Sequence, residues 1–267
     1  MEYTISELLA VNLADSINDN EVGFTGLATG KAAATYITNI PLLGMELARR
    51  THAPNLTILM SGWSTNPTLA NLDSMPESEF DGELLDLECE SQIQDYPGTW
   101  AYKCGDIDFA FSSGVQVDKE GNLNCTCIGD PAKPKVQLVG PIFVPEHFAV
   151  FGREYIMMPH HSKRNFVEKV DHISGVGYPG GMKGREALGL PGDGPRYIYT
   201  PLCIFSFDED GMIYVKSMHP GVTEEELREN TGFDLGDLSQ VPITREPTEE
   251  ELEILRNEVD PKGILRD

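Results

Sequence analysis

The sequence predicts an α/β fold. Helix-start signals stand near both ends of the chain, short β-branched and aromatic runs fill much of the stretch between 107 and 217, and no internal repeat or long Pro/Ser linker divides the 267 residues. One domain over 1–267 is the simplest organisation, with an acidic insertion near 72–98.

Thr4-Ile5-Ser6-Glu7 is a capping box, in which the Thr hydroxyl and the Glu carboxylate satisfy amides left open at a helix start. Ile5, Leu8, Leu9, Leu13 and Ile17 then recur at helical spacing, which predicts a helix over 5–17 with one face buried. A short, β-like, Gly-rich stretch follows from Gly23 to Gly30. Pro41 opens a second helix whose body runs to Arg50, and its closing arginines suit the negative helix end. Leu56 to Met60 is an apolar run read as a buried strand, ending at Ser61-Gly62. From Thr51 through Tyr102 the chain has no Lys or Arg, which predicts a solvated acidic insertion; a lid or a docking surface for a basic partner is the alternative. Further strands are predicted at 107–111, 115–118, 155–158, 166–173, 196–207 and 212–217. Gly121 can supply a positive φ in the turn 119–122, and a second turn, Asp208-Glu209-Asp210-Gly211, joins the last two strands. Thr223 and Thr248, each followed three residues later by Glu, start two more helices.

Composition narrows the partners. Asp and Glu number 43 against 20 Lys and Arg, and the net charge of -23 disfavours nucleic acid and anionic membrane surfaces. No apolar stretch is long enough to span a bilayer, and the opening MEYTISELLAVNLADSINDN lacks the basic region of a signal peptide. Cys89, Cys104, Cys125, Cys127 and Cys203 form an odd set that fits free thiols in a reducing cytoplasm.

Several motifs carry chemistry on paper. Gly175-Val176-Gly177-Tyr178-Pro179-Gly180 matches a dinucleotide fingerprint, but Pro179 and Gly180-Gly181 oppose the helix that such a site requires. The stretch is better read as a loop where backbone passes close to a neighbour. Cys125, Cys127 and the pair His160-His161 lack the spacing of a metal site, so none is assigned. Ser61 lacks the nucleophile-elbow motif. Lys163, Arg164 and Lys169 form either a solvated face or an anion contact. Glu146-His147 places an acid beside a potential base inside an apolar stretch, and these two are the candidate catalytic pair, with a plain loop as the alternative.

The order of several segments resembles a known family. Gly114-Val115-Gln116-Val117-Asp118 continuing to Asn122-Leu123-Asn124 is similar to the G-x-Q-x-D-x-x-G-N-x-N segment of class I CoA-transferase β-subunits. Met157 to Phe166, Gly184 to Gly192, and His219-Pro220-Gly221-Val222-Thr223 with Asn230 to Asp234 resemble the same subunits, glutaconate CoA-transferase in kind. The resemblance implies an open mixed α/β sheet with flanking helices, a partner α-subunit, an active site near their interface, and an acyl-CoA substrate. CoA enters as part of that substrate, with no separate cofactor bound, and the acidic balance suggests that a partner supplies positive groups for its phosphates.

Two departures change the expected chemistry. Where the family carries Glu-Ser-Gly, this chain reads Met60-Ser61-Gly62, and a thioether cannot attack a thioester. The family's Gly-rich loop is replaced by Gly140-Pro141-Ile142-Phe143-Val144-Pro145. The scaffold also resembles catabolic relatives without that glutamate, which hydrolyse a C–C bond or decarboxylate. The expectation is therefore a hydrolase or lyase subunit. Glu146 and His147 would act in acid–base steps, and Met60, Ser61, Gly62, Gln116 and Asn124 would bind substrate. Genuine CoA transfer, or a non-catalytic β-subunit supporting a catalytic α-subunit, are the alternatives.

Overall fold

A computed structural model describes residues 2–28, 30–61, 64–76, 78, 81–92 and 105–266. The chain folds as two compact units, one made of 1–111 with 245–267 and the other of 112–244.

In the first unit, helix α1 spans Ile5–Ala14 and both halves of its capping box form: the Glu7 N–H donates to the Thr4 hydroxyl at 3.2 Å, and the Thr4 N–H to the Glu7 carboxylate at 2.8 Å. It ends earlier than the periodicity predicts, because Ser16 and Ile17 close tight turns onto Leu13 and Ala14; Ile17 stays buried nonetheless. Strand β1 is Val22–Thr25. Helix α2 (Lys31–Ala34), a π-helical turn at Thr35–Asn39 and helix α3 (Ile40–Thr51) then run on continuously, starting well before Pro41. The wider turn ahead of Pro41 accommodates a residue that lacks an N–H. Gly44 brings α3 close to α1, since a Cβ there would stand 2.8 Å from Leu13.

Strands β2 (Thr57–Met60), β3 (Ser64–Pro67), β4 (Cys89–Gln92) and β5 (Phe109–Ser112) complete an open run in the order β4-β3-β2-β1-β5. Strands β2, β1 and β5 are parallel, whereas β3 and β4 are antiparallel. The acidic stretch thus supplies two strands that its composition did not announce. Asp73, Glu83, Asp86, Glu88 and Glu90 lie within it, at or close to the surface.

The second unit opens with β6 (Gln116–Asp118) and β7 (Leu123–Asn124), a hairpin whose Gly121 has φ +73°. Strands β8 (Cys127–Ile128) and β9 (Val136–Gln137) pair with each other. Helix α4 (Val144–Val150) follows, so the Glu146-His147 stretch is helical and not a plain loop. Then come β10 (Arg153–Met157), β11 (Phe166–Val167), helix α5 (Met182–Ala187), β12 (Pro195–Tyr199), β13 (Cys203–Phe207) and β14 (Ile213–Met218). Their order is β10-β12-β13-β14, with β10 parallel to β12 and the rest antiparallel. Only two residues of the expected 166–173 strand pair, because the side chains of Asp118 and Gln116 take up the N–H groups of Val170 and Asp171. The expected 196–207 strand is two strands, broken where the Thr200 hydroxyl accepts from the N–H groups of Leu202 and Cys203. Helix α6 (Glu224–Asn230) is capped by Thr223. Phe148, Ile156, Phe166, Ile198, Phe205 and Leu227 anchor this unit's core.

The chain then returns to the first unit. Helix α7 (Glu249–Glu253) starts from the Thr248–Glu251 capping box and continues into a π-helical turn at Ile254–Val259, whose Leu255 and Val259 are buried. Arg256 there bonds the Glu7 carboxylate at 2.6 and 2.9 Å. Both units therefore hold open mixed sheet flanked by helices. Among the described residues no helix is long and apolar enough to cross a membrane.

Candidate active site

In the first unit, β2 delivers Met60 opposite Thr25 of β1 and Ser64 of β3, with the Met60 side chain 1% exposed. Ser61 follows in a left-handed conformation, φ +54°, and is fully buried. Such a conformation at a residue other than glycine stores on the order of 1–3 kcal/mol and tends to mark functional sites. The Ser61 N–H donates to the Thr25 carbonyl at 2.7 Å, while its hydroxyl oxygen and that of Ser64 are buried without a hydrogen-bond partner among the described residues. Gly62 lies outside the described residues. Thr38 shapes the loop after β1, its hydroxyl donating to the Gly26 carbonyl at 2.9 Å and accepting from the Ala28 N–H at 3.2 Å.

In the second unit, α4 carries Glu146 and His147 about 100° apart around its axis, as consecutive helical residues must be. Glu146 is half-buried, with one carboxylate oxygen buried and lacking a hydrogen-bond partner among the described residues. His147 is buried and stacks on Phe151 with ring centroids 4.8 Å apart. Its Nδ1 lies 3.4 Å from the Ser112 hydroxyl and 3.8 Å from a carboxylate oxygen of Glu154 on β10. Glu154 is fully buried, and among the described residues neither of its oxygens has a hydrogen-bond partner. Sequence reasoning passed over it. The signal was a lone carboxylate at the head of the apolar run Tyr155-Ile156-Met157-Met158.

Arg185 of α5 ties this region together. Its buried guanidinium donates to the carbonyls of Phe148, Val176, Gly177 and Gly192 at 2.5, 2.8, 3.1 and 2.9 Å, and burial holds its pKa below the ordinary arginine value. The Gly175–Gly180 loop is the close-packed turn its sequence suggests, for a Cβ on Gly177 would stand 2.2 Å from the Glu120 carbonyl oxygen.

Gln116 and Asn124 belong to a different network of the same unit. The Asn124 amide donates to Gln116 at 2.8 Å and to the Cys127 carbonyl at 2.7 Å, and its oxygen accepts from the Thr126 N–H at 3.0 Å. Gln116 also holds Asp171. Asp118 accepts from the N–H groups of Glu120, Asn122 and Val170, and burial raises its pKa. The Q-x-D-x-x-G-N-x-N segment is thus a hydrogen-bonded hairpin whose polar atoms face one another.

His161 bonds the hydroxyls of Thr200 and Thr231 at 2.9 and 3.1 Å, and burial, with His219 nearby, lowers its pKa to about 3. His160, Lys163, Arg164 and Lys169 are exposed. Cys89, Cys125, Cys127 and Cys203 are free thiols, while Cys104 lies outside the described residues. Among the described residues no group of three His, Cys, Asp or Glu side chains could hold a metal ion.

No family model matches the chain. Over 257 residues, however, it is 36% identical to the β-subunit of the 3-oxoadipate CoA-transferase of Pseudomonas knackmussii, covering 95% of this chain and 92% of the relative. The chain belongs to the CoA-transferase family, as a β-subunit. This β-subunit also superposes on glutaconate coenzyme A-transferase from Acidaminococcus fermentans with a TM-score of 0.79 and 30% identity, over 100% of this chain and 98% of that one. It is 28% identical over 280 residues to the cholesterol ring-cleaving hydrolase IpdB subunit of Rhodococcus jostii, covering 98% and 95% of the two chains. The family and the open mixed sheet expected from the motifs both hold for this chain.

Proposed function

We propose that this β-subunit works in a heteromer with a CoA-transferase α-type subunit and processes an acyl-CoA by breaking a C–C bond, by hydrolysis or decarboxylation, and not by covalent CoA transfer. The observation that carries this is Met60, a buried thioether at the end of β2, directly before the strained Ser61. A thioether has no proton to lose and cannot form the acyl anhydride on which ping-pong transfer depends. The thioester carbonyl would serve instead as an electron sink, with Glu146 and His147 moving protons. Met60 and Ser61 would line the acyl pocket, while the Gln116–Asn124 hairpin of the second unit holds its own loop in place. CoA enters as part of the substrate, and the partner supplies cations for its phosphates, consistent with the net charge of -23. A cytoplasmic location belongs to the same proposal. The 28% identical relative named a ring-cleaving hydrolase supports the reading.

The 36% and 30% identical relatives named as CoA-transferases favour a second reading, true CoA transfer with the essential carboxylate supplied from elsewhere. Intact-mass analysis separates the two. The heteromer is incubated with 3-oxoadipyl-CoA or glutaconyl-CoA and treated with borohydride. Turnover without an acceptor acid and an unmodified chain are expected. A CoA adduct or a reduced glutamyl residue on either subunit would establish transfer instead.

A further inference from the structure

The proposed chemistry leaves one buried group without a role. Glu154 is fully buried, and neither carboxylate oxygen has a hydrogen-bond partner among the described residues. Buried polar atoms are almost always paired, and a buried anion without a counter-group is strongly unfavourable. Its neighbour is the Nδ1 of His147, 3.8 Å away, and the Ser112 hydroxyl lies 3.4 Å from that same nitrogen. The β10–β12 register shifts by one residue between Glu154 and Tyr155, with the extra residue on β12.

We propose that Glu154 is a positioning residue that holds His147 in the Nδ1–H tautomer, so that Nε2 carries the lone pair and acts as the base. The inference rests on the acid–base role given to His147 above. The Glu154 carboxylate, acceptor-only when ionised, faces Nδ1 at 3.8 Å and favours the ring proton there, and the Ser112 hydroxyl, 3.4 Å away, can accept from the same N–H. The hydroxyl and the carboxylate share one nitrogen, so the arrangement is not a relay that passes a proton through the ring to a serine nucleophile. Stacking on Phe151 keeps the ring from turning over. Charged or titratable groups near His147 among the described residues include Glu154 from β10 and Glu146 beside it on α4. Arg185 reaches α4 at the Phe148 carbonyl. When Nε2 takes a proton from substrate carbon or from water, an N–H bond forms, a C–H or O–H bond breaks, and the electron pair passes to the substrate. The imidazolium that results is then balanced by the Glu154 carboxylate.

Solid-state NMR of the heteromer with 13C,15N-histidine in this chain reads the tautomer directly. This chain has 6 histidines, and the His147 signal is assigned by its loss in His147→Asn. The wild type should show Nδ1–H. Glu154→Met removes the carboxylate at similar volume, an exchange that buried sites often tolerate. It should shift His147 towards Nε2–H and lower turnover of 3-oxoadipyl-CoA by about 10²–10⁴-fold. Glu154→Asp and Ser112→Ala should keep Nδ1–H. An Nε2–H signal in the wild type, or an unchanged Nδ1–H signal in assembled Glu154→Met, overturns the proposal. Should Glu154→Met not assemble, the wild-type and Glu154→Asp spectra still decide. Normal turnover in His147→Ala would remove the acid–base role while leaving the tautomer result to stand or fall separately.

Discussion

At the scale of single residues, the proposed chemistry rests on three side chains. If Met60 is a pocket wall, Met60→Leu keeps volume and apolarity; thermal or urea unfolding should show a loss below about 1.5 kcal/mol, and turnover should largely persist. Glu146→Gln and His147→Ala should each lower turnover by about 10²–10⁴-fold with unchanged circular dichroism. Near-normal rates in both would return the pair to a structural role on α4. The Glu146–His147 pair stood out as a candidate because an acid beside a base in an apolar stretch is rare enough to notice. Glu154 did not, because one carboxylate in a strand does not reveal which face it takes. Gln116 and Asn124 were legible as a motif, yet the letters of that motif record hydrogen bonds within a hairpin.

At the scale of elements, capping boxes and turn glycines were the readable features. Thr4, Thr248 and Gly121 behave as their local chemistry requires, since every partner lies within a few residues. Elements set by distant groups were not readable. The shortened β11 answers to Asp118 and Gln116, which lie about fifty positions earlier in the chain. Strands β3 and β4 form because β2 offers an open edge, despite their polar composition. Arg185 is a further case, for one guanidinium closes four carbonyls from three separate stretches. Each buried carbonyl left open costs roughly 1–3 kcal/mol, so Arg185→Met should destabilise the chain by several kcal/mol in urea titration. Gly177→Ala should do likewise, because its Cβ would meet the Glu120 backbone and not a movable side chain.

At the scale of the whole molecule, His161 and His219 contribute to the response to acid, in the same direction as carboxylates such as Glu7 and Glu251 whose pKa, against the raising effect of burial, is lowered by their arginine partners. Burial lowers the pKa of His161 to about 3 and also lowers that of His219. Below about 6.5, the ordinary histidine value, the unfolded chain binds protons that the folded chain refuses. Stability is therefore greatest above that value and falls as pH drops towards about 3, while Asp118, raised by burial, opposes the trend only near the carboxylate range. Unfolding midpoints between pH 7 and 4 should decline in the wild type and decline less in His161→Gln. The two units raise a separate matter, that of timing. The second is continuous in sequence, whereas the first is completed only by 245–267, which supplies the buried Leu255, Val259 and Leu265 and the Arg256 partner of Glu7. On a ribosome the stretch 112–244 can fold as it emerges, while α1 and α3 wait until 245–267 arrives to complete their packing. Nascent chains stalled before Arg245 should thus recruit chaperones through α1 and α3.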